Sequence, residues 1–183
     1  VYGYDCIRMF ILMSHYRSPL NYSGEILMQA KAALERLSTA KDNLDFFCQN
    51  GADGEMTAAE AETLASLGVY RQKFCDAMDD DFNTADAISA IFELVREINS
   101  AVSPNAHPTK ALAEGCRALY LELSDVLGIP FTEKKDELTP EQEALFNARK
   151  AKNWAESDRI RDELKAQGIL VEDTPQGMKW KRI

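Results

Sequence analysis

Between Arg149 and Asp173 stand four side chains whose types suit the reading of a flat, hydrogen-bonding ring. Trp154 offers a broad π face, and an unstacked nucleobase gains about 1–3 kcal/mol on such a platform. Asp158 follows four residues later, so on a helix the two project from one face. An ionised carboxylate accepts two hydrogen bonds and matches the N1–H and amino edge of guanine. Arg149 carries a planar fork of donors for a base carbonyl or a phosphate, and Asp173 adds another acceptor. Each also has an ordinary alternative. A tryptophan taken alone is more often a core anchor. Asp158 pairs as readily with Arg159 or Arg161 along its own helix, for roughly a few tenths of a kcal/mol. Arg149 complements a helix C-terminus, and Asp173 serves as an Asx-type turn residue. What favours recognition is the company: Asn153, Glu156, Ser157 and Asp158 leave the turn around Trp154 polar on nearly every side.

Such residues need a scaffold, and the local sequence supplies one. Thr139-Pro140-Glu141-Gln142 has the form of a helix start, with Thr as N-cap, Pro at the first helical position and Gln at the third. That helix is expected to end near Asn153, which caps the next one, and Gly168 closes the second. Alternation at Ile169, Val171, Met178 and Trp180, around Pro175-Gln176-Gly177, predicts a two-stranded hairpin. A hairpin of this size is unstable alone and must pack on the two helices.

Upstream the pattern is helical throughout. Ile7, Phe10, Ile11 and, one turn on, Ser14 set a first helix that stops before Pro19. Ser23 caps a long second helix bearing Ile26, Leu27, Ala30, Ala33, Leu34, Leu37, Leu44 and Phe47. Thr57 with Glu60 forms a capping box for a third, which carries Leu64, Leu67, Tyr70 and Phe74. Asn83 or Thr84 caps a fourth, with Ala87, Ile91, Leu94, Val95 and Ile98 inward. A fifth runs from about Pro108 to Leu127 and ends at Gly128. Short connections between helices of this length favour antiparallel neighbours. The expected class is all-α: an antiparallel helical bundle over 1–128, a linker over 129–138, and a helix–helix–β-hairpin module over 139–183.

Composition narrows the chemistry. The chain has 183 residues, 45% of them apolar, enough for a packed core. No apolar run approaches the roughly 20 residues of a membrane span. Cys6, Cys48, Cys75 and Cys116 are far apart, and His15 and His107 do not extend them into a ligand set, so no metal is expected and buried reduced thiols are the default. Asp79-Asp80-Asp81 lacks the EF-hand pattern and reads as solvation and capping of the helix near Thr84. His15-Tyr16-Arg17 precedes Pro19 with no nucleophile beside an oriented base, so no catalytic residue is assigned. The net charge of −9 argues against a general polyanion binder, yet it is unevenly spread. Residues 1–138 hold 12 basic and 22 acidic side chains, whereas 139–183 hold 9 and 8, so any contact with phosphate belongs to the tail.

Three blocks carry a family resemblance. The stretch from Arg149 through Trp154, Asp158 and Asp173 to Trp180-Lys181-Arg182 resembles the C-terminal anticodon-recognition segment of cysteinyl-tRNA synthetases. Asp5-Cys6-Ile7-Arg8, followed by His15-Tyr16-Arg17-Ser18-Pro19-Leu20-Asn21-Tyr22-Ser23, resembles the D-A-L-R motif of their helical domain and its sequel. Phe74-Cys75-Asp76-Ala77-Met78-Asp79-Asp80-Asp81-Phe82-Asn83-Thr84 is similar to a further signature of the family. The resemblance implies that Trp154 is a platform for an anticodon base and that Asp173 accepts from a cytosine or adenine amino group. It also implies tRNA(Cys) as partner, alongside an N-terminal catalytic domain, in a monomeric cytoplasmic protein. The family's H-I-G-H-like motif, K-M-S-K-S-like loop and zinc site do not occur here. The chain is therefore expected to be an inactive C-terminal fragment without cofactor, of a parent that uses ATP and zinc. The rival readings are the helical domain of a related ligase joining cysteine to an amino sugar, and a plain protein-interaction bundle.

Overall fold

Four helix starts in this chain are set by side chains that accept an otherwise orphaned backbone N–H. Ser23 Oγ accepts from Ile26 N at 3.2 Å, Asn83 Oδ1 from Asp86 N at 3.2 Å, and Thr109 Oγ1 from Leu112 N at 3.2 Å. Thr57 and Glu60 form the complete reciprocal box. The computed structural model describes residues 3–131, 154–166, 169–174 and 177–182. These starts open α2 (Gly24–Asn50), α5 (Thr84–Ala101), α6 (Lys110–Val126) and α3 (Ala58–Ser66). Before them lies α1 (Tyr4–Leu12), between α3 and α5 lies α4 (Gly68–Asp79), and after them come α7 (Trp154–Ala166), β1 (Ile169–Thr174) and β2 (Gly177–Arg182). The described chain is thus mostly helical. It divides into two compact units, Val1–Thr132 and Glu133–Ile183. The expected helix from Thr139 and the turn at Pro175-Gln176 lie outside the described residues.

In the first unit α2 is the central element, packed by α1, α5 and α6. Its buried stripe is Leu27, Ala30, Ala33, Leu37, Ala40, Leu44 and Phe47, and the alanines allow close approach. Ile91, Leu94 and Ile98 of α5 and Leu112, Cys116, Tyr120 and Leu123 of α6 complete the same core. Tyr120 is fully buried, and its hydroxyl donates to the Leu37 carbonyl at 2.8 Å, which satisfies the one polar group the ring brings inside. Gly115 marks a close crossing of α3 and α6: a Cβ there would stand 2.5 Å from Leu64 Cδ2. At the end of α6, Gly128 takes φ 58°, and its carbonyl accepts from Arg8 of α1 at 2.7 Å.

Four features depart from the sequence pattern. The helix expected to run on past Thr57 breaks at Leu67. Thr63 and Ser66 turn their hydroxyls back onto carbonyls of the preceding turn, and Gly68 follows without a side chain to hold the helix. Leu67 itself is buried at the joint. Helix α1 buries Cys6, Met9 and Phe10 but exposes Ile7 and Ile11. The cap of α5 is Asn83, one of the two expected, but Asp81, expected to help cap that helix, bonds Tyr16 and Arg17 instead. Of the free cysteines, only Cys6 and Cys116 are buried, while Cys75 is exposed.

In the second unit β1 and β2 pair antiparallel, with Ile169 opposite Arg182, Glu172 opposite Lys179 and Asp173 opposite Met178. Ile160 and Leu164 of α7 close on Ile169 of β1, and Val171 packs against them. Only one turn's worth of α7 is apolar, so the strand is what gives that stripe something to cover.

Candidate nucleic-acid interface

On α7 the apolar positions Ile160 and Leu164 are buried with Ser157, one turn earlier, while Asp158, Arg159, Asp162, Glu163 and Lys165 are exposed. Burial of the first set fixes the outward aim of the second. Asp158 presents its carboxylate to solvent, where Oδ1 meets Arg161 Nη2 at 3.0 Å. The ordinary alternative for Asp158 is therefore present in the free protein. An exposed pair at this spacing is worth well under about 1 kcal/mol, so a ligand edge that offers two donors displaces it cheaply. Arg159 pairs along the same helix with Glu163 at 2.9 Å.

Trp154 is the first residue of α7, one turn before Asp158. Asp173 lies next to last in β1, with the same strand parity as Ile169 and Val171. The dimensions of the two elements bring these positions toward one end of the unit. From Leu164 back to Trp154 is about 15 Å along a helix. From Ile169 forward to Asp173 is about 13 Å along a strand. Only two residues separate α7 from β1, so the strand returns along the helix it packs on. Arg149 lies outside the described residues. Of the two partners that the sequence offers Asp158 along its own helix, Arg159 and Arg161, it is Arg161 that pairs with it.

The first unit has a different electrostatic character. Each of its lysines and arginines is engaged. Arg8 donates to the Gly128 carbonyl; Arg17 pairs with Asp81, Lys31 with Glu35, Lys41 and Arg117 with Asp45, and Arg71 with Glu122. Lys73 pairs with Glu93, Arg96 with Glu97 and Lys110 with Asp53, while the Arg36 guanidinium lies 4.8 Å over the Phe92 ring. A phosphate approaching this unit meets carboxylates, or cations most of which are already held by them. At Asp45 burial opposes ionisation, and the Lys41 and Arg117 hydrogen bonds overcome it, so the carboxyl sits below its ordinary value. A shallow hollow of about 300 Å³ beside this network is lined by Asp45, Cys48, Gln49, Glu114, Arg117 and Ala118. Burial pushes the Cys48 thiol up, which lowers its thiolate fraction. Among the described residues no group of His, Cys, Asp and Glu is arranged to hold a metal ion, and no helix is long and apolar enough to cross a membrane.

Comparison with known proteins divides the chain in a similar way. Residues 73–132 match the family described as DALR domain, and residues 135–180 match the cysteinyl-tRNA ligase anticodon binding domain. The second match takes in Arg149, Trp154, Asp158 and Asp173. The first takes in Phe74–Thr84 but leaves Asp5–Arg8 outside it. The cysteine–tRNA ligase of Symbiobacterium thermophilum is 47% identical over 188 residues, covering 99% of this chain and 39% of the relative. That of Clostridioides difficile is 44% identical over 187 residues, covering 100% of this chain and 40% of the relative. The chain thus spans about two fifths of the length of the curated relatives it matches.

Proposed function

This chain carries the DALR and anticodon-binding domains of the cysteinyl-tRNA ligases, and we propose that they bind tRNA(Cys) here and read its anticodon. The observation that carries the reading is the match over 135–180, which contains every residue chosen for base recognition. Trp154 stacks under one anticodon base. Asp158 exchanges Arg161 for the N1–H and amino edge of guanine, and Asp173 accepts from the amino group of a second base. Arg149 donates to a base carbonyl or to a neighbouring phosphate. Bases splayed from a loop expose the edges and faces that such groups need.

The finer architecture belongs to the same proposal. Residues 1–128 form an antiparallel helical bundle that meets the tRNA through shape, 129–138 are the linker, and 139–183 form a helix–helix–hairpin module that reads bases. Activation of cysteine with ATP and any zinc site belong to other parts of the ligase, which works as a cytoplasmic monomer. A ligase that joins cysteine to an amino sugar is disfavoured, since it has no use for an anticodon-binding domain. Titration of the chain with unmodified tRNA(Cys), and with the same tRNA altered at single anticodon positions, tests the proposal. Tighter binding of the unaltered tRNA is expected; equal binding of all of them overturns it.

A further inference from the structure

Strand β2 carries three cations, Lys179, Lys181 and Arg182, and no carboxylate. Successive residues of a strand alternate between its two faces. Ile169 and Val171 give β1 the face that meets Ile160 and Leu164 of α7, so Leu170 and Glu172 belong to the other face. Residues directly opposite across an antiparallel ladder share a face. The register sets Lys181 opposite Leu170 and Lys179 opposite Glu172. The hairpin face away from α7 therefore holds two lysines and one carboxylate, and the lysine farther from the turn stands across from a leucine. In the first unit every lysine forms an ion pair with an acidic side chain: Lys31 with Glu35, Lys41 with Asp45, Lys73 with Glu93 and Lys110 with Asp53. Lys179 and Lys181 are about 7 Å apart along their strand, close to the interval between successive phosphates of a nucleic-acid strand. The line from Lys179 to Lys181 runs away from the turn next to Asp173, and so away from the base-reading end of the unit.

We propose that this outer hairpin face, through Lys181 and secondarily Lys179, holds the sugar–phosphate backbone of the RNA stem that leads to the bases read at the other end of the unit. The proposal rests on the anticodon-reading role given above and adds to it a site that reads no base. Bases and backbone call for different chemistry: base edges specify, whereas phosphate contacts fix register and orientation. Asp158 and Asp173 suit base edges, but both are carboxylates and repel the phosphates that accompany those bases. A cationic surface a short way along the stem offsets that repulsion and sets the bases in place. Lysine suits the task, since a compact charge with three donors meets a phosphate oxygen whatever the sequence. The two lysines are not equivalent. Lys179 faces Glu172 across the ladder and must give up that carboxylate to take a phosphate, whereas Lys181 faces Leu170. Lysines on an exposed strand also hinder edge-to-edge pairing with another chain. That role requires only charge, and its loss shows as self-association rather than as weaker RNA binding.

Titration of the 183-residue chain with unmodified tRNA(Cys), repeated over a range of salt concentrations, tests this on variants whose melting temperature is unchanged. Lys181→Gln should reduce the slope of log K against log[salt] by about 0.7–0.9, the amount for one phosphate. Lys179→Gln should reduce it by less, and Glu172→Gln, which frees Lys179, should steepen it. Lys181→Arg should keep the slope of the parent chain. Each lysine variant should weaken binding of the cognate tRNA and of tRNAs altered in the anticodon by the same factor. Lys165→Gln, at an exposed position of α7, is the control for overall charge. An unchanged slope in the Lys179→Gln/Lys181→Gln double variant overturns the proposal, and self-association of that variant with unchanged RNA affinity overturns it in favour of edge protection. An equal loss of slope from Lys165→Gln overturns it in favour of net charge. Anticodon discrimination is read from the ratio of affinities and the backbone contact from the slope, so the two readings stand or fail separately.

Discussion

Trp154 and Asp158 stand one turn apart on α7, and their alternative roles lead to different measurements. As a stacking platform, Trp154→Ala loses about 1–3 kcal/mol of tRNA affinity and little folding stability. As a core anchor it loses about 3–5 kcal/mol of stability instead. Thermal unfolding and tRNA titration on the same variant decide between them. Asp158 already has a solvent-exposed partner in Arg161, so Asp158→Ala should change stability by less than about 0.5 kcal/mol. The same variant should bind tRNAs with altered anticodons almost as well as the cognate one; retained discrimination would remove Asp158 from the reading. The sequence made Asp158 and its partner visible together, because i,i+3 spacing on a helix is a local property. It could not show that Asp81 serves Tyr16 and Arg17, since that contact spans some 65 residues and exists only once α1 and α5 have packed.

At the level of elements, the helix starts were the most legible part of the fold. A capping side chain and its target N–H lie within three residues of each other, so Ser23, Thr57 and Asn83 could be named before any packing was known. The joint at Leu67 was hidden because no proline marks it and the apolar spacing runs through it unbroken. The two apolar sides of α1 were hidden for a related reason: spacing identifies a stripe but not which stripe faces inward. Glu60 shows how far a local signal can reach. Its Oε2 accepts from Thr57 N at 2.8 Å in the expected box, while Oε1 accepts from Thr109 N at 2.8 Å, tying the start of α3 to that of α6. Burial raises the Glu60 carboxyl, but the Thr109 and Thr57 backbone donors outweigh it and leave the group below its ordinary 4.5. A depressed carboxyl contributes stability above its unfolded value and loses it as pH falls through the folded one. Glu60→Gln should therefore lower stability near neutrality, by the part of the two backbone hydrogen bonds that depends on the charge. That deficit should shrink steadily as the pH is taken below 4.5. A deficit independent of pH would show that packing, not the carboxylate, is what the substitution removes.

The whole molecule comprises two compact units with separate cores, Tyr120 and its neighbours in one, and Ile160, Leu164 and Ile169 in the other. Cleavage between Phe131 and Thr139 should leave residues 1–128 helical and cooperative in thermal unfolding, because among the described residues the members of that core lie before the cut. Loss of most helical circular dichroism would refute this. The committed cations of the first unit have a consequence for the thermodynamics of association. Each phosphate neutralised on a single strand releases condensed counterions and steepens log K against log[salt] by about 0.7. A cation that must first abandon a carboxylate releases little, since the carboxylate recruits an ion in turn. The helical unit, though it holds most of the residues, should therefore be nearly silent in that slope. Removing residues 133–183 should abolish the salt dependence along with the affinity, whereas reversing exposed charges such as Lys31 or Arg96 in the first unit should leave the slope unchanged.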